Sequence, residues 1–442
     1  MTRQPHLTAG LTALLAGCLC AQVASAQTFG SSRGGLFEDD AAGFSRVAGG
    51  CVASGVAIQP DRKIVAVGNL VKPDGDQAIV VRFHTDGTLD TSFGEQGSGA
   101  RNGFVQFNVG DKCQAESVAV DPDSGAIFVV GTARFERKAG AFVVRLTPDG
   151  VMDESFQDGG ILTYRFEAQI DTGGGFGTQA TYGTDIGFDL SGKLLLAGRT
   201  GTRSDHDAFV TQFDGNGEFE WAQKHGTGGF DDGANAMSVP LKAPPYRIYT
   251  TGFSTITNLI KAFDYAGSDQ TGQSSLGFCV RSFGISYDES TDRVVCAGRL
   301  GKDVVVRTMS ARPEVIPGIE YENPFKQQEI DSQCRGIEHL SNGRVAVVGH
   351  GRPYDAEDNT DRRFQFALYG PDAELIAHDS PDLGGPSAAL DVAVHGDSLI
   401  VLAGRVMTEQ VKSKSANFKM GFVTYDGDGK MIGQPWTFER ID

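Results

Sequence analysis

The sequence predicts an all-β fold built from repeats, and three observations carry that reading. An apolar run ending in glycine recurs along the chain: "KIVAVG" to Gly68, "AIFVVG" to Gly131, "KLLLAG" to Gly198, "RIYTTG" to Gly252, "RVVCAG" to Gly298, "RVAVVG" to Gly349 and "LIVLAG" to Gly404. These glycines stand 63, 67, 54, 46, 51 and 55 residues apart, a period that suits propellers and is too long for a β-solenoid repeat of about 20–30 residues. Glycine supplies 59 of 442 residues beside only 16 Pro, about twice the usual share, as tight turns between short strands require. Finally, "HTDGTLDTSFGEQG" (His84 to Gly97) returns as "TPDGVMDESFQDGG" (Thr147 to Gly160), with Asp86, Gly87, Asp90, Ser92 and Phe93 mapping onto Asp149, Gly150, Asp153, Ser155 and Phe156. The expected fold is a seven-bladed β-propeller of four-stranded blades, closed by N- and C-terminal strands.

The first unit shows how each strand is read. "SGVAI" (Ser54 to Ile58) is followed by a turn at "QPDRK", where Pro60 and Asp61 suit turn positions. "IVAVG" follows, then a polar loop "VKPDGD", then "QAIVVRF" (Gln77 to Phe83), rich in the β-branched residues that strands favour. "TDG" reverses the chain and "GFVQFNV" (Gly103 to Val109) is the fourth strand. Continuous apolar runs such as "AIVV" and "LLLA" fit sheets covered on both faces, as stacked blades are. The chain ends fit ring closure. "QTFGSSRGG" (Gln27 to Gly35) is similar to the late part of a repeat, and "AGFSRV" (Ala42 to Val47) takes the place of a fourth strand. The C-terminal "GFVTYDGDGKMIGQPWTFERID" supplies a third strand, a turn and one short strand. The N-terminal segment is thus expected to complete or flank the last blade, and residues 27–442 to form one domain.

These residues resemble a known repeat. "PDRKIVAVG", "AIVVRFHTDGTLDTSFGEQG" and "VVRLTPDGVMDESFQDGG" resemble the delta-60 repeat, a bacterial β-propeller-like repeat, over roughly residues 50 to 165. The third unit, "GKLLLAGRTG" with "DAFVTQFDGNGEFEWAQKHGTGGFDD", looks like the related bacterial propeller repeat that carries a Trp after its turn, here Trp221. Later units keep the strand-and-glycine skeleton but lack the "DxSF" segment. The resemblance implies a propeller-like fold and an exported location, and it transfers no active site. The residues themselves make Asp86 and Gly87 a turn, with Asp90 and Ser92 bonding the backbone of a second bend and Phe93 packing between blades. A calcium loop needs oxygen ligands at alternate positions. The closest approach to one is Asp214, Asn216, Glu218 and Glu220 in "DGNGEFE".

The first 26 residues read as an export signal. Arg3 opens a short cationic region, Leu7 to Leu15 is an apolar stretch too short to span a bilayer, and "ASA" (Ala24 to Ala26) is a small-x-small cleavage site. "LAGC" (Leu15 to Cys18) offers an alternative, a lipobox in which Cys18 is lipidated. Secretion or a periplasmic location is expected, with an outer-membrane lipoprotein as the alternative. Beyond the signal no stretch approaches 18 consecutive apolar residues, so the mature chain is expected to lack a transmembrane segment. A net charge of −17 argues against nucleic acid as a partner, since that needs a cationic face. A monomer is expected.

Four cysteines, Cys51, Cys113, Cys279 and Cys334, fall where the chain enters the innermost strand of a blade. In an exported protein, neighbours within about 7 Å oxidise, so Cys51–Cys113 and Cys279–Cys334 are disulfide candidates, with Cys296 a buried thiol. No Cys has a partner at metal-ligand spacing, and neither metal nor cofactor is expected. Basic residues gather after the repeat glycines: Arg199, Arg203, Arg299, Lys302, Arg352, Arg405, Lys412 and Lys414. If the connections between second and third strands share the channel mouth, these form a cationic rim for an anionic ligand. The alternative is solvated loops with local pairs. GxSxG, HExxH and P-loop motifs are absent. In "SDHD" (Ser204 to Asp207), His206 stands between two carboxylates, suited to a general base or to a plain exposed loop. Three function classes follow: a binding module for an extracellular or envelope glycan, peptide or protein; a channel-mouth hydrolase or lyase; or a passive surface or envelope structural protein. Fold alone does not choose among them.

Overall fold

The structure, a computed structural model, describes residues 46–440 except 73–75, 95–101, 136–137, 167–179, 203–204, 227–231, 240–246, 255–257, 270–280, 289–290, 292, 301–302, 311–320, 326–328, 354–361 and 413–414. The segment read as an export signal, with Cys18, and the segment Gln27 to Gly35 lie outside the described residues. Every named element is a strand. The first unit comprises β1 (Arg46–Ile58), β2 (Ile64–Val71), β3 (Gln77–Phe83) and β4 (Phe104–Phe107); the second, β5 (Lys112–Val120), β6 (Ile127–Phe135), β7 (Lys138–Leu146) and β8 (Ile161–Tyr164). The third has β9 (Ala180–Phe188), β10 (Leu194–Thr202), β11 (Asp205–Phe213) and β12 (Phe219–His225). Next come β13 (Asp232–Ser238), β14 (Arg247–Ser254) and β15 (Asn258–Asp264), then β16 (Arg281–Asp288), β17 (Arg293–Leu300) and β18 (Asp303–Ser310). The chain ends with β19 (Glu329–His339), β20 (Val345–Pro353), β21 (Arg363–Tyr369) and β22 (Leu375–Asp379), followed by β23 (Ser387–His395), β24 (Leu399–Lys412), β25 (Ser415–Tyr425) and β26 (Trp436–Phe438).

Three units, β5–β8, β9–β12 and β19–β22, are separate four-stranded antiparallel sheets in chain order. β13–β15 and β16–β18 share a six-stranded sheet through one pairing, Phe253 with Arg281. β1–β4 and β23–β26 share an eight-stranded sheet, because β1 begins parallel to β25 (Arg46 opposite Ser415, Gly50 opposite Phe418) before turning to pair with β2. First strands neighbour one another in turn: β1 against β5, β5 against β9, β9 against β13, β13 against β16, β16 against β19, β19 against β23, and β23 against β1. Among the described residues no helix is long and apolar enough to cross a membrane.

The repeat glycine has a local cause. Each first strand carries a β-bulge at the same point, skipping Ser54, Glu116, Thr184, Asn235, Phe283, Arg335 and Leu390. The residue before the bulge sits opposite the glycine, as Ala53 does to Gly68 and Ala115 to Gly131. A bulge swings its strand's carbonyl towards the partner. A Cβ on Gly68 would meet the Val52 carbonyl oxygen, one on Gly131 that of Gln114, and one on Gly404 that of Ala388. Close approach therefore demands glycine here. Bulge side chains then bond the next unit: Ser54 Oγ donates to Ala115 O at 2.5 Å, Thr184 Oγ1 to Ala234 O at 2.8 Å and Asn235 Nδ2 to Ser282 O at 2.8 Å.

The "DxSF" bend is a staple between units. Asp90 accepts from Ser92 N at 3.0 Å, Ser92 Oγ at 2.5 Å and Arg82 Nε at 2.8 Å. Arg82, 1% exposed, also donates to Gln59 Oε1 at 3.1 Å and to Pro148 O of the next unit at 2.6 Å. Its guanidinium lies 4.6 Å over the Phe93 ring. Burial opposes ionisation of Asp90, but the bonds from Ser92 and the charges of Arg82 and Lys63 outweigh it and hold the carboxyl well below the usual range. Phe93 is fully buried against Gly150, the turn glycine of the following unit, whose φ of 79° suits glycine. Phe156 meets Gly217, Trp221 meets Gly267, and Trp436 near the C-terminus meets Gly87 of the first unit in the same way.

Cys51 and Cys113, expected to pair, are separate thiols. Cys51 faces the core between β23–β26 and β1–β3, while Cys113 faces the core between β1–β4 and β5–β7. The first sheet stands between them. Cys334 is buried, and its expected partner Cys279 lies outside the described residues. Cys296 is a buried thiol, as the sequence suggests.

Candidate ligand-binding face

One step beyond each repeat glycine, the second strand presents a residue at the end where first strands begin: Asn69, Thr132, Arg199, Phe253, Arg299, His350 and Arg405. The backbone at this level is equivalent from unit to unit, but the side chains differ. Asn69 ties neighbouring units together, donating to Ser54 Oγ and Ala115 O, each at 3.2 Å, and accepting from Ala115 N at 2.9 Å. Arg199 is 8% exposed, with its guanidinium 4.8 Å over the Tyr182 ring. His206 meets the same ring edge-on at 5.6 Å. Arg405 is 3% exposed and lies 5.1 Å over Phe418, and His350 is buried. Guanidiniums over aromatic faces are held in place by the ring quadrupole.

Five of the cationic positions read from sequence lie on strands rather than loops, because the strands run on past the glycine. Arg199 is on β10, Arg299 on β17, Arg352 on β20, and Arg405 and Lys412 on β24. Arg352 is half-buried opposite Asp331. Arg299 stands opposite Arg281 and Lys412 opposite Ser415 in the strand register. Arg203, Lys302 and Lys414 lie outside the described residues. His206, expected on a loop, pairs opposite Gly201 in the β10–β11 hairpin and is buried. Asp214, at the head of the nearest calcium-like segment, instead fixes a turn by accepting from Asn216 N and Glu218 N, both at 2.8 Å. Glu220 there pairs with Lys193 at 2.7 Å.

Further along the first strands lies a group of buried carboxyls that the sequence reading missed. Asp185 and Asp391 occupy the same place, just after the bulge. Asp185 accepts from Ser117 Oγ at 2.9 Å, its neighbour Ile186 N at 2.9 Å and Met237 N of the next unit at 2.8 Å. Asp391 accepts from Val392 N at 2.9 Å and from Val56 N at 2.7 Å, joining β23 to β1. Burial pushes Asp185 up to about 8 against those bonds. Glu338 on β19 is raised well above the usual range by burial, then by the charges of Asp391 and Asp185. His339 beside it bonds Ser286 Oγ at 2.8 Å, and burial lowers it to about 4. Among the described residues no three His, Cys, Asp or Glu side chains gather as a metal site. The signal available in sequence was a single acid inside an otherwise apolar strand, in "TDIGF" and "ALDVAV".

No curated protein matches this chain in sequence. Solved structures with a similar course include Chaetomium thermophilum Sqt1, 11% identical over 82% of this chain and 94% of that one, with a TM-score of 0.49. The dihydro-heme d1 dehydrogenase NirN is 13% identical over 88% of this chain and 67% of that one, at 0.45. A Pyrococcus horikoshii acylaminoacyl peptidase is 11% identical over 87% of this chain, at 0.41, and the chain spans only 52% of its length. Residues 59–93 and 124–156 match the family model described as domain of unknown function (DUF5122) beta-propeller. Those segments contain the two "DxSF" staples, so the likeness of this β-propeller chain to the DUF5122 beta-propeller model falls on its first two units.

Proposed function

We propose that the protein is an exported seven-bladed β-propeller, closed by its terminal strands, that serves as a binding module for an extracellular or envelope ligand such as a glycan, peptide or protein. The seven bulge–glycine pairs, the contact of β23 with β1 and the Asp391–Val56 bond support the closed wheel. Arg3, the apolar run Leu7 to Leu15 and the "ASA" site support export.

One observation carries the binding reading. The frame repeats from unit to unit, whereas the level just beyond the glycines carries Asn, Thr, Arg, Phe, Arg, His and Arg. A purely structural layer has no need to differ at equivalent places, while a face that recognises an asymmetric ligand does. Among the described cations read from sequence, Arg352 is half-buried two residues beyond His350 and is less enclosed than Arg199 and Arg405. The test is a glycan and peptide array probed with the mature protein and with Arg352→Glu. Selective binding that the variant weakens by about tenfold or more supports the reading. Binding to nothing, or the absence of any ligand whose binding the variant weakens, overturns it.

A further inference from the structure

Three departures from the repeat meet at the outer edge of the seam between the second and third units. The first is an uncovered ring. Leu89, Met152, Phe219, Leu375 and Met431 occupy one equivalent position, facing the last residue of the third strand across the turn. In the first two units the chain returns after "DxSF" and packs Gly103 against Leu89 and Gly160 against Met152, so both stay half-buried. The third unit lacks that return segment, and Phe219 is 57% exposed.

The second is the ring's setting. A bulge at Glu220 in β12 puts Phe219 opposite Phe213 and Trp221 opposite Gln212, so the two aromatics face opposite sides of the sheet. Phe219 thereby turns towards Tyr164 of β8, with the two rings within 12° of parallel and their centroids 6.4 Å apart. Phe213 and Phe209, both buried, pack against Tyr164 from beneath at 5.4 and 5.8 Å.

The third is strain. Where the first unit follows Phe93 with Gly94 at φ 100°, the second follows Phe156 with Gln157 at φ 42°. A side chain is kept where the backbone favours glycine, and the strain is held by the surrounding structure. That side chain is exposed and reaches across the seam, donating from Nε2 to Asn216 O at 2.8 Å and to Glu218 Oε1 at 3.1 Å, immediately before Phe219.

We infer that this seam is a carbohydrate-binding site for a neutral pyranose chain, separate from the face beyond the glycines. Two near-parallel rings offer an apolar platform for the C–H face of a sugar. The Gln157 amide carbonyl and the Glu218 carboxylate are acceptors for its hydroxyl donors. A few placed polar groups beside an apolar surface are the usual make-up of a small-ligand site. Charge selects among sugars: Glu218 and the net charge of −17 repel uronates and sulfated glycans.

The test uses the mature protein with hexasaccharides of β-linked glucose, xylose and mannose, and a galacturonate hexasaccharide as the anionic comparison, read by calorimetry and saturation-transfer NMR. At least one neutral chain is expected to bind, the galacturonate more weakly by about tenfold or more. Phe219→Ala, a surface change that leaves thermal stability within about 1 °C, is expected to abolish the saturation transfer, while Phe219→Trp retains it. Gln157→Gly relieves the backbone and is expected to weaken binding while raising stability. Absence of neutral-sugar binding, tighter galacturonate binding, or undiminished binding by Phe219→Ala overturns the inference. Arg352→Glu is expected to leave this binding unchanged, which separates failure here from failure of the face beyond the glycines.

Discussion

Replacing Arg82 by Met tests the stapling bend, and the repeat supplies its own control. The Arg82 and Asp90 side chains are 2% and 4% exposed, and the guanidinium also serves Gln59 Oε1 and Pro148 O. Removing Arg82 leaves Asp90 in the interior with only the part-exposed Lys63, 3.2 Å away, as its cation, and takes the donor from Gln59 Oε1, at about 3–5 kcal/mol in all. The same motif one repeat on, Arg145 with Asp153 at 3.0 Å, has side chains 23% and 18% exposed. Water reaches that pair, and its loss is worth about 1 kcal/mol. With an unfolding entropy of about 2.1 cal/mol/K per residue, a chain of this length loses about 1 °C of Tm per kcal/mol. Calorimetry at neutral pH is therefore expected to show Arg82→Met melting about 4 °C below wild type and Arg145→Met about 1 °C below. Adding Asp90→Leu to Arg82→Met is expected to recover part of the loss, since no buried charge then remains. Equal losses at the two arginines, or an Arg82→Met protein as stable as wild type, would refute the assignment.

Asp391→Asn is expected to cost about 2–3 kcal/mol in urea unfolding, because both carboxylate oxygens accept from backbone N–H groups and an amide can accept at only one; a neutral result would remove the latch. Gly198→Ala is expected to cost about 3 kcal/mol or more, since its Cβ meets the Tyr182 carbonyl, and a soluble variant of wild-type stability would contradict the bulge account. Asp185 and Glu338 have folded-state values raised above their unfolded ones, so the folded protein holds their protons more tightly. The stabilisation from Asp185 is complete below its ordinary value of 3.8 and is lost as pH climbs towards about 8, and that from Glu338 is lost in the same direction. Thermal scans should give a higher Tm at about pH 7 than at about pH 8.5, a window above the range in which the buried His225 and His339 oppose the trend, with a smaller difference in Glu338→Gln; a Tm that rises over this range refutes the burial of these acids.

The strand skeleton was legible because its signals are local. β-Branched runs, turn glycines and the "DxSF" bend each report a short-range requirement, and the structure has Asp90 and Phe93 in the roles the sequence suggested, while Ser92 Oγ bonds the Asp90 carboxylate. The repeat glycine was visible as a spacing but misread as a strand end. Its cause is a carbonyl on another strand, and β10, β20 and β24 continue past it. That error placed Arg199 and Arg405 in loops, when both are buried over aromatic rings. Cys51 and Cys113 do occupy equivalent places, opposite Leu70 and Ala133, and for that reason both face the preceding unit and a sheet stands between them. Asp185, Glu338 and Asp391 stand far apart in sequence and interact only through tertiary packing, so no spacing rule finds them.

Hydrogen exchange read by mass spectrometry at the seam between β23 and β1 tests the closed wheel most directly. The Val56 amide is bonded to Asp391 across 335 residues of chain. Peptides covering residues 50–58 are expected to be protected as strongly as those covering 180–188, whose strand lies between two units consecutive in sequence. Exchange of residues 50–58 at the rate of an exposed edge strand, with 180–188 still protected, would contradict closure.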